Sequence, residues 1–337
     1  MTVLTEADQI SEIAFGFMGS KALFAGLGAG VFTHLADGPM SCAELARHCP
    51  LDEIRTETLM TALAGLGLVK GENGKFRNSP AAESFLVKGA KYDFGDYLRL
   101  QVGQQMYGLL DQIDDALQDK LPEEATASYA EWFSDPEEAR LYSASQHSGS
   151  LGPARQLARK IDLSDARRLL DVGGGTGAFA ITLCEAFPEL AATIVDFPNV
   201  AALGRDYVGK AGLSERISYV EGNALDTDWP GAQDVILMSY LFSGVPGETH
   251  DGLLARARDQ LAPGGRLLLH DFVVRSDRSG PKLAALWQLQ HTAFTPRARS
   301  LDEGWLRTAL ETAGFVDIEV EVMIPEMTML ASAVKPA

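Results

Sequence analysis

The chain has too little positive charge to suit a nucleic acid or an acidic membrane: 29 Lys and Arg stand against 46 Asp and Glu, a formal net charge of −17 over 337 residues. The summed field of that charge repels polyanions, so a small-molecule partner is expected, with no nucleic acid and no membrane. Cysteine is scarce too. Cys42, Cys49 and Cys184 show no CxxC spacing and cannot all pair, which points to a reduced compartment and thiols used as core filler. No basic-then-apolar leader opens "MTVLTEADQI", and the most apolar stretch, "KALFAGLGAGVFTHLADG", is interrupted by glycines and polar residues short of a membrane span. A cytoplasmic protein is expected. There is no internal repeat and no low-complexity tract. What is abundant is apolar residue, 46% of a chain long enough for two domains or one large one.

The amino-terminal third reads as helix, helix, hairpin. Apolar residues Ile13, Phe17, Leu23, Leu27 and Val31 keep helical spacing across residues 10–36, closed by Asp37 and Gly38. Ser41 and Glu44 fit a capping box that starts a short helix, and "LDEIRTETLMTALAGLGLV" supplies a second. An Asn-Gly pair then predicts a tight hairpin between Val69 and Phe76. This is a winged-helix pattern, but its second helix carries Asp52, Glu53 and Glu57 against a single Arg55, a poor phosphate binder. A structural or dimerising role is expected. The boundaries read as a winged-helix domain at 1–95, a helical connector at 96–160 and a cofactor-binding domain at 161–337.

From Ala166 the pattern changes to short apolar strands alternating with helices, which implies an α/β domain with a mainly parallel sheet and ligands at the strands' carboxyl ends. In "LLDVGGGTGAFAITL" a strand runs into glycines and then a helix. Asp171 precedes Gly173, Gly175 and Gly177 in a D-x-G-x-G-x-G order unlike the dinucleotide G-x-G-x-x-G. The next strand ends in "VDFPNV", placing Asp196 where a carboxylate can accept both hydroxyls of a ribose. Another ends in "EGNAL", placing the Asn223 amide for an adenine edge.

This ordered set resembles class I S-adenosylmethionine-dependent methyltransferases, and with the winged-helix segment, "DFPNV" and "LAPGGRLLL" nearly the whole chain resembles the plant caffeate-type and bacterial small-molecule O-methyltransferases. The resemblance implies a Rossmann-like domain, a homodimer built through the amino-terminal helices, and S-adenosylmethionine as cofactor. It places Asp171, Gly173, Gly175, Asp196 and Phe197 about the methionine and ribose portions, Asn223 and Ala224 at the adenine, and Ser239 and Tyr240 beside the cofactor on the fourth strand. In the family a histidine after that strand removes the proton from a substrate hydroxyl. Here Ser243 occupies its position, and a serine cannot accept a proton near neutral pH as imidazole does.

Replacement candidates follow from that departure. His250 reads as a residue in the exposed first turn of a surface helix, and His147 as a pocket residue on the connector. His270 and Asp271 end a core strand, and His291 lies on a helix that the resemblance sets over the substrate. Together these three predict a 2-His-1-carboxylate site for iron or zinc, with catalytic residues Ser243, His270, Asp271 and His291. The blander alternative makes Asp271 a hydrogen-bonded strand end and His291 a satisfied core histidine. A subset of the family methylates 2-oxo acids at C3 through a metal-chelated enolate in antibiotic-type nonribosomal peptide pathways, and "LHDF" with "LQHTAF" is similar to it. C-methylation of phenylpyruvate, 4-methyl-2-oxopentanoate or 5-guanidino-2-oxopentanoate is therefore the leading expectation. Metal-free O-methylation of a small aromatic and a catalytically silent regulator are the alternatives. Arg297 and Arg299 are either carboxylate binders near the pocket or solvated loop residues.

Overall fold

Local signals place most amino-terminal elements. Helix α1 (Ala7–Gly28) stops at Ala29 and Gly30, whose φ of 75° turns the chain into α2 (Val31–Leu35), so the expected single helical stretch is two. Ser41 accepts from the Glu44 backbone N–H while the Glu44 carboxylate accepts from Ser41 N–H, and this capping box starts α3 (Cys42–Ala46). Asp52 caps α4 (Glu53–Gly65). Strands β1 (Val69–Glu72) and β2 (Lys75–Asn78) pair antiparallel across Asn73 and Gly74, both at positive φ. Phe32, Leu45, Met60 and Leu63 fill the core between these helices and the hairpin, and α5 (Pro80–Phe85) follows. A π-helical segment, Tyr97–Met106, ends this part of the chain.

The structure, a computed structural model, describes residues 3–121, 129, 133–295 and 297–337; residues 122–128 and 130–132 of the expected connector lie outside them. The chain divides into two units, residues 1–107 and 108–337. In the first, α1 leaves Ile10, Ile13, Phe17 and Met18 more than half exposed. By length and composition this 22-residue helix, which only overlaps the stretch 21–38, is apolar enough to cross a membrane, a test that core helices of soluble proteins also pass.

The second unit is built on a seven-stranded sheet in the order β5-β4-β3-β6-β7-β9-β8. Its strands are β3 (Arg168–Val172), β4 (Ala191–Asp196), β5 (Ile217–Glu221), β6 (Gln233–Ser239), β7 (Leu261–Asp271), β8 (Val316–Ile324) and β9 (Thr328–Val334). All pair parallel except β9, antiparallel to both neighbours. Between them lie α6 (Ile113–Leu117) and α7 (Pro136–Lys160) before the sheet, then α8 (Ala178–Ala186), α9 (Pro198–Lys210), α10 (His250–Gln260), α11 (Lys282–Phe294) and α12 (Glu303–Thr312).

Strand pleating divides the core in two. Leu169, Leu237 and Leu268 pack under α7 and α8 with Leu157, Phe179 and Leu183, while Leu170, Ile236, Leu267 and Leu269 pack under α10 and α12 with Leu253, Leu254, Leu306 and Leu310. This is the expected α/β Rossmann-like architecture with helices on both faces. Strand order reverses between β3 and β6, and the crevice at their carboxyl ends is where such sheets take ligands.

Candidate active site

Asp171 sits one residue from the end of β3, fully buried, and neither carboxylate oxygen has a hydrogen-bond partner among the described residues. Burial, then repulsion from Asp196, pushes its pKa up to about 7. The chain turns directly over it. A Cβ on Gly174 would stand 2.5 Å from the Asp171 carboxyl carbon, so only glycine lets the turn close there. Gly173 and Gly175 in the same turn hold φ of 69° and 60°.

Asp196 ends β4 and is locked to that turn: Oδ2 accepts from Gly175 N–H at 2.7 Å and Oδ1 from Phe197 N–H at 2.8 Å. Burial raises its pKa to about 6 despite those two bonds. No Lys or Arg pairs with Asp171 or Asp196 among the described residues. Two buried carboxylates with spare lone pairs and no cation suit a ligand that is positively charged and carries hydroxyls, as S-adenosylmethionine does.

The other expected cofactor residues gather at the same sheet end. Asn223 and Ala224 follow β5; the Asn223 side-chain oxygen accepts from Leu225 N–H, and the Ala224 carbonyl accepts from Arg256. Ser239 ends β6, and Tyr240 beyond it takes φ of 58°, an uncommon conformation for a bulky side chain, fixed by Tyr240 N–H donating to the His270 carbonyl. His147 bonds Thr176 of the glycine turn at 2.8 Å and stacks 3.9 Å from the Tyr207 ring, and burial lowers its pKa to about 4. The Tyr219 hydroxyl donates to the Gly175 carbonyl. These ties to Thr176, Tyr207 and Tyr219 left no mark in the sequence because each joins separate elements.

The predicted metal site is not formed. His270 and Asp271 are consecutive strand residues and face opposite sides of the sheet. His270 packs against Phe179 of α8 and spends both ring nitrogens, Nδ1 on Ser239 Oγ at 2.8 Å and Nε2 on Thr328 Oγ1 at 2.9 Å. Asp271 turns the other way and accepts from the backbone N–H groups of Ser243 and Phe272, anchoring the 3-10 turn Phe242–Gly244. No group of three His, Cys, Asp or Glu suited to a metal occurs among the described residues. The iron or zinc expected on His270, Asp271 and His291 is corrected accordingly. His250 is corrected as well: it is fully buried, bonds the Phe242 carbonyl through Nε2 and stacks on the Phe242 ring. Arg297 pairs with Glu248, and Arg299 lies over the Trp305 ring.

Beside the carboxylates runs a row of aromatic rings. Phe197, next to Asp196, meets Phe133 at 5.8 Å; Phe133 meets Tyr142 at 5.1 Å; Tyr142 meets Tyr129 at 6.1 Å; and Tyr129 meets Phe294 at 4.5 Å. Tyr129 also crosses Gly244, where a Cβ would come within 3.1 Å of its ring. The row thus links the neighbour of Asp196 to the turn carrying Ser243 and to helix α11. Sequence reading missed it, since its members come from three distant segments, 129–142, Phe197 and Phe294.

A Rossmann-like sheet with a glycine turn locked to an acidic residue on the next strand defines a class I methyltransferase. The chain belongs to the O-methyltransferase family: residues 107–316 match its O-methyltransferase domain and residues 11–88 its O-methyltransferase dimerisation domain. It is an S-adenosylmethionine-dependent methyltransferase, and the second match supports a homodimer. It is similar to the 3-hydroxy-5-methyl-1-naphthoate 3-O-methyltransferase of Streptomyces sahachiroi, 30% identical over 280 residues, 83% of this chain and 81% of that one. It is also similar to the N,N-dimethyltransferase OxyT of Streptomyces rimosus, 27% identical, covering 93% and 91% of the two chains. Among solved structures, human N-acetylserotonin methyltransferase in complex with SAM shares the fold over 100% of both chains, with a TM-score of 0.87 at 22% identity. The expected C-methylation of a 2-oxo acid, and membership of the metal-dependent subset, are overturned by these relatives and by the wiring of His270 and Asp271.

Proposed function

We propose that the enzyme transfers the methyl group of S-adenosylmethionine to a hydroxyl of a small aromatic compound. The observation that carries this reading is the row of rings from Phe197, beside Asp196, to Phe294 on α11, a surround that suits a flat aromatic. The naphthoate O-methyltransferase among its relatives supports the same class.

The cofactor supplies an electrophilic methyl group on a sulfonium. In this reading Asp196 accepts the ribose hydroxyls, Gly173 and Gly175 leave room for the methionine portion, and Asn223 and Ala224 border the adenine. Ser239 and Tyr240 flank the cofactor, and the buried Asp171 sets a negative potential beneath a positive ligand. The rings exclude water and hold the acceptor plane.

A second reading, transfer to an amine, is favoured by one observation: Ser243 stands where a proton-accepting histidine is expected, and an amine nitrogen attacks without prior loss of a proton. A screen of hydroxynaphthoates, phenols and aromatic amines with S-adenosylmethionine separates the two. Methyl ethers from the hydroxyl compounds support the first reading, and N-methylation alone supports the second.

A further inference from the structure

Three of the four histidines in the carboxyl-terminal unit are engaged. His147 bonds Thr176, His250 bonds the Phe242 carbonyl, and His270 bonds both Ser239 and Thr328. His291 differs: it is only 7% exposed, yet neither ring nitrogen has a hydrogen-bond partner among the described residues. A buried imidazole with both its donor and its acceptor unmade is unfavourable in a folded protein and calls for a polar ligand.

It is not alone. The adjacent Gln290 also buries an unpartnered Oε1, about 100° further round the helix, while the Ser243 side chain is directed to Asp271. The 3-10 turn carrying Ser243 packs against α11, and Thr295, one turn beyond His291, donates its hydroxyl to the Gly244 carbonyl at 3.2 Å. Phe272 and Trp287 stand 6.3 and 6.4 Å from the His291 ring, and Phe294 on the same helix ends the aromatic row. A buried imidazole with no partner therefore lies among aromatic rings, on a helix packed against the turn that carries Ser243.

We propose that His291 takes the proton from the acceptor hydroxyl. This rests on the O-methylation reading. The acceptor O–H bond breaks and its proton passes to a ring nitrogen. An oxygen electron pair forms the bond to the methyl carbon while the carbon–sulfur bond breaks, its pair remaining on sulfur; the imidazolium then releases its proton to water. Burial holds His291 well below the usual imidazole range, at about 4, so the ring is neutral and able to accept at neutral pH. As a weak base it acts together with methyl transfer, when the forming O–C bond makes the hydroxyl proton more acidic.

The test uses His291→Gln and a series of hydroxynaphthoates and nitro-substituted phenols of graded acidity. The expected result is a kcat about 100-fold to 10,000-fold lower for weakly acidic hydroxyls, recovering as the acceptor becomes more acidic, with unchanged affinity for S-adenosylhomocysteine. His291→Phe, which fills the space between Phe272 and Trp287 without a ring nitrogen, gives the same readout if the glutamine variant does not fold. Wild-type kcat in the variant, or an equal loss for all acceptors regardless of acidity, overturns the proposal. Wild-type enzyme that methylates amines and no hydroxyl overturns the O-methylation reading instead.

Discussion

If Asp171 and Asp196 hold the cofactor as proposed, its binding depends on pH. Both have folded-state pKa values above the ordinary carboxylate range, at about 7 and about 6, mainly because they are buried. A raised carboxylate pKa contributes stability that is present below the unfolded value and is lost as pH rises through the folded value. The free protein should therefore lose melting temperature between about pH 4 and about pH 7, and saturating S-adenosylmethionine should reduce that loss, because a cationic ligand favours the ionised pair. By the same sign, cofactor affinity should rise over this window, and calorimetry in buffers of different ionisation enthalpy should detect proton release. Affinity that is flat with pH would contradict the assignment. Asp196→Ala removes a charged acceptor and should weaken cofactor binding by roughly 10-fold to 100-fold, or about 1.5–3 kcal/mol. At this scale the sequence placed Asp171 and Asp196 at neighbouring strand ends, where the structure has them, and grouped His270, Asp271 and His291 where it does not. Asp196 was legible because strand, acidic residue and helix start are consecutive. His270 and Asp271 were misjudged because adjacency in sequence was taken for convergence in space, when the pleat sends neighbours to opposite faces.

The glycine turn between β3 and α8 was legible for a local reason: only glycine tolerates its positive φ angles and its close approach to Asp171. Gly174→Ala should therefore disturb both the turn and the site, lowering stability by about 1–3 kcal/mol and weakening cofactor binding, as thermal melts and titration would report. An alanine variant with unchanged melting and affinity would mean that Asp171 moves aside freely. The capping box at Ser41 and the Asn73-Gly74 hairpin were readable on the same local grounds. The 3-10 turn Phe242–Gly244 was not. Its position depends on Asp271, 28 residues from Ser243, and its packing buries His250 on Phe242, so a helix start that reads as exposed is inside.

For the whole molecule, alternation of strand and helix was enough to expect a Rossmann-like sheet, and a helical segment with a hairpin was enough to expect a separate amino-terminal unit. The aromatic row was not legible, because it is assembled from α7, α11 and other segments and has no contiguous motif. The exposed Ile13 and Phe17 on α1, within the matched dimerisation segment, predict a particle of twice the 36.3 kDa chain mass by light scattering. Ile13→Asp with Phe17→Asp should shift it toward monomer, and a wild-type monomer at all concentrations would contradict this. The most direct measurement of the central claim is the structure of the product: wild-type enzyme incubated with S-adenosylmethionine and hydroxynaphthoates, with the methyl group located by carbon–proton correlation NMR. A methyl ether on a ring hydroxyl is expected, whereas a methyl group on carbon, or transfer confined to amine nitrogen, would contradict O-methylation.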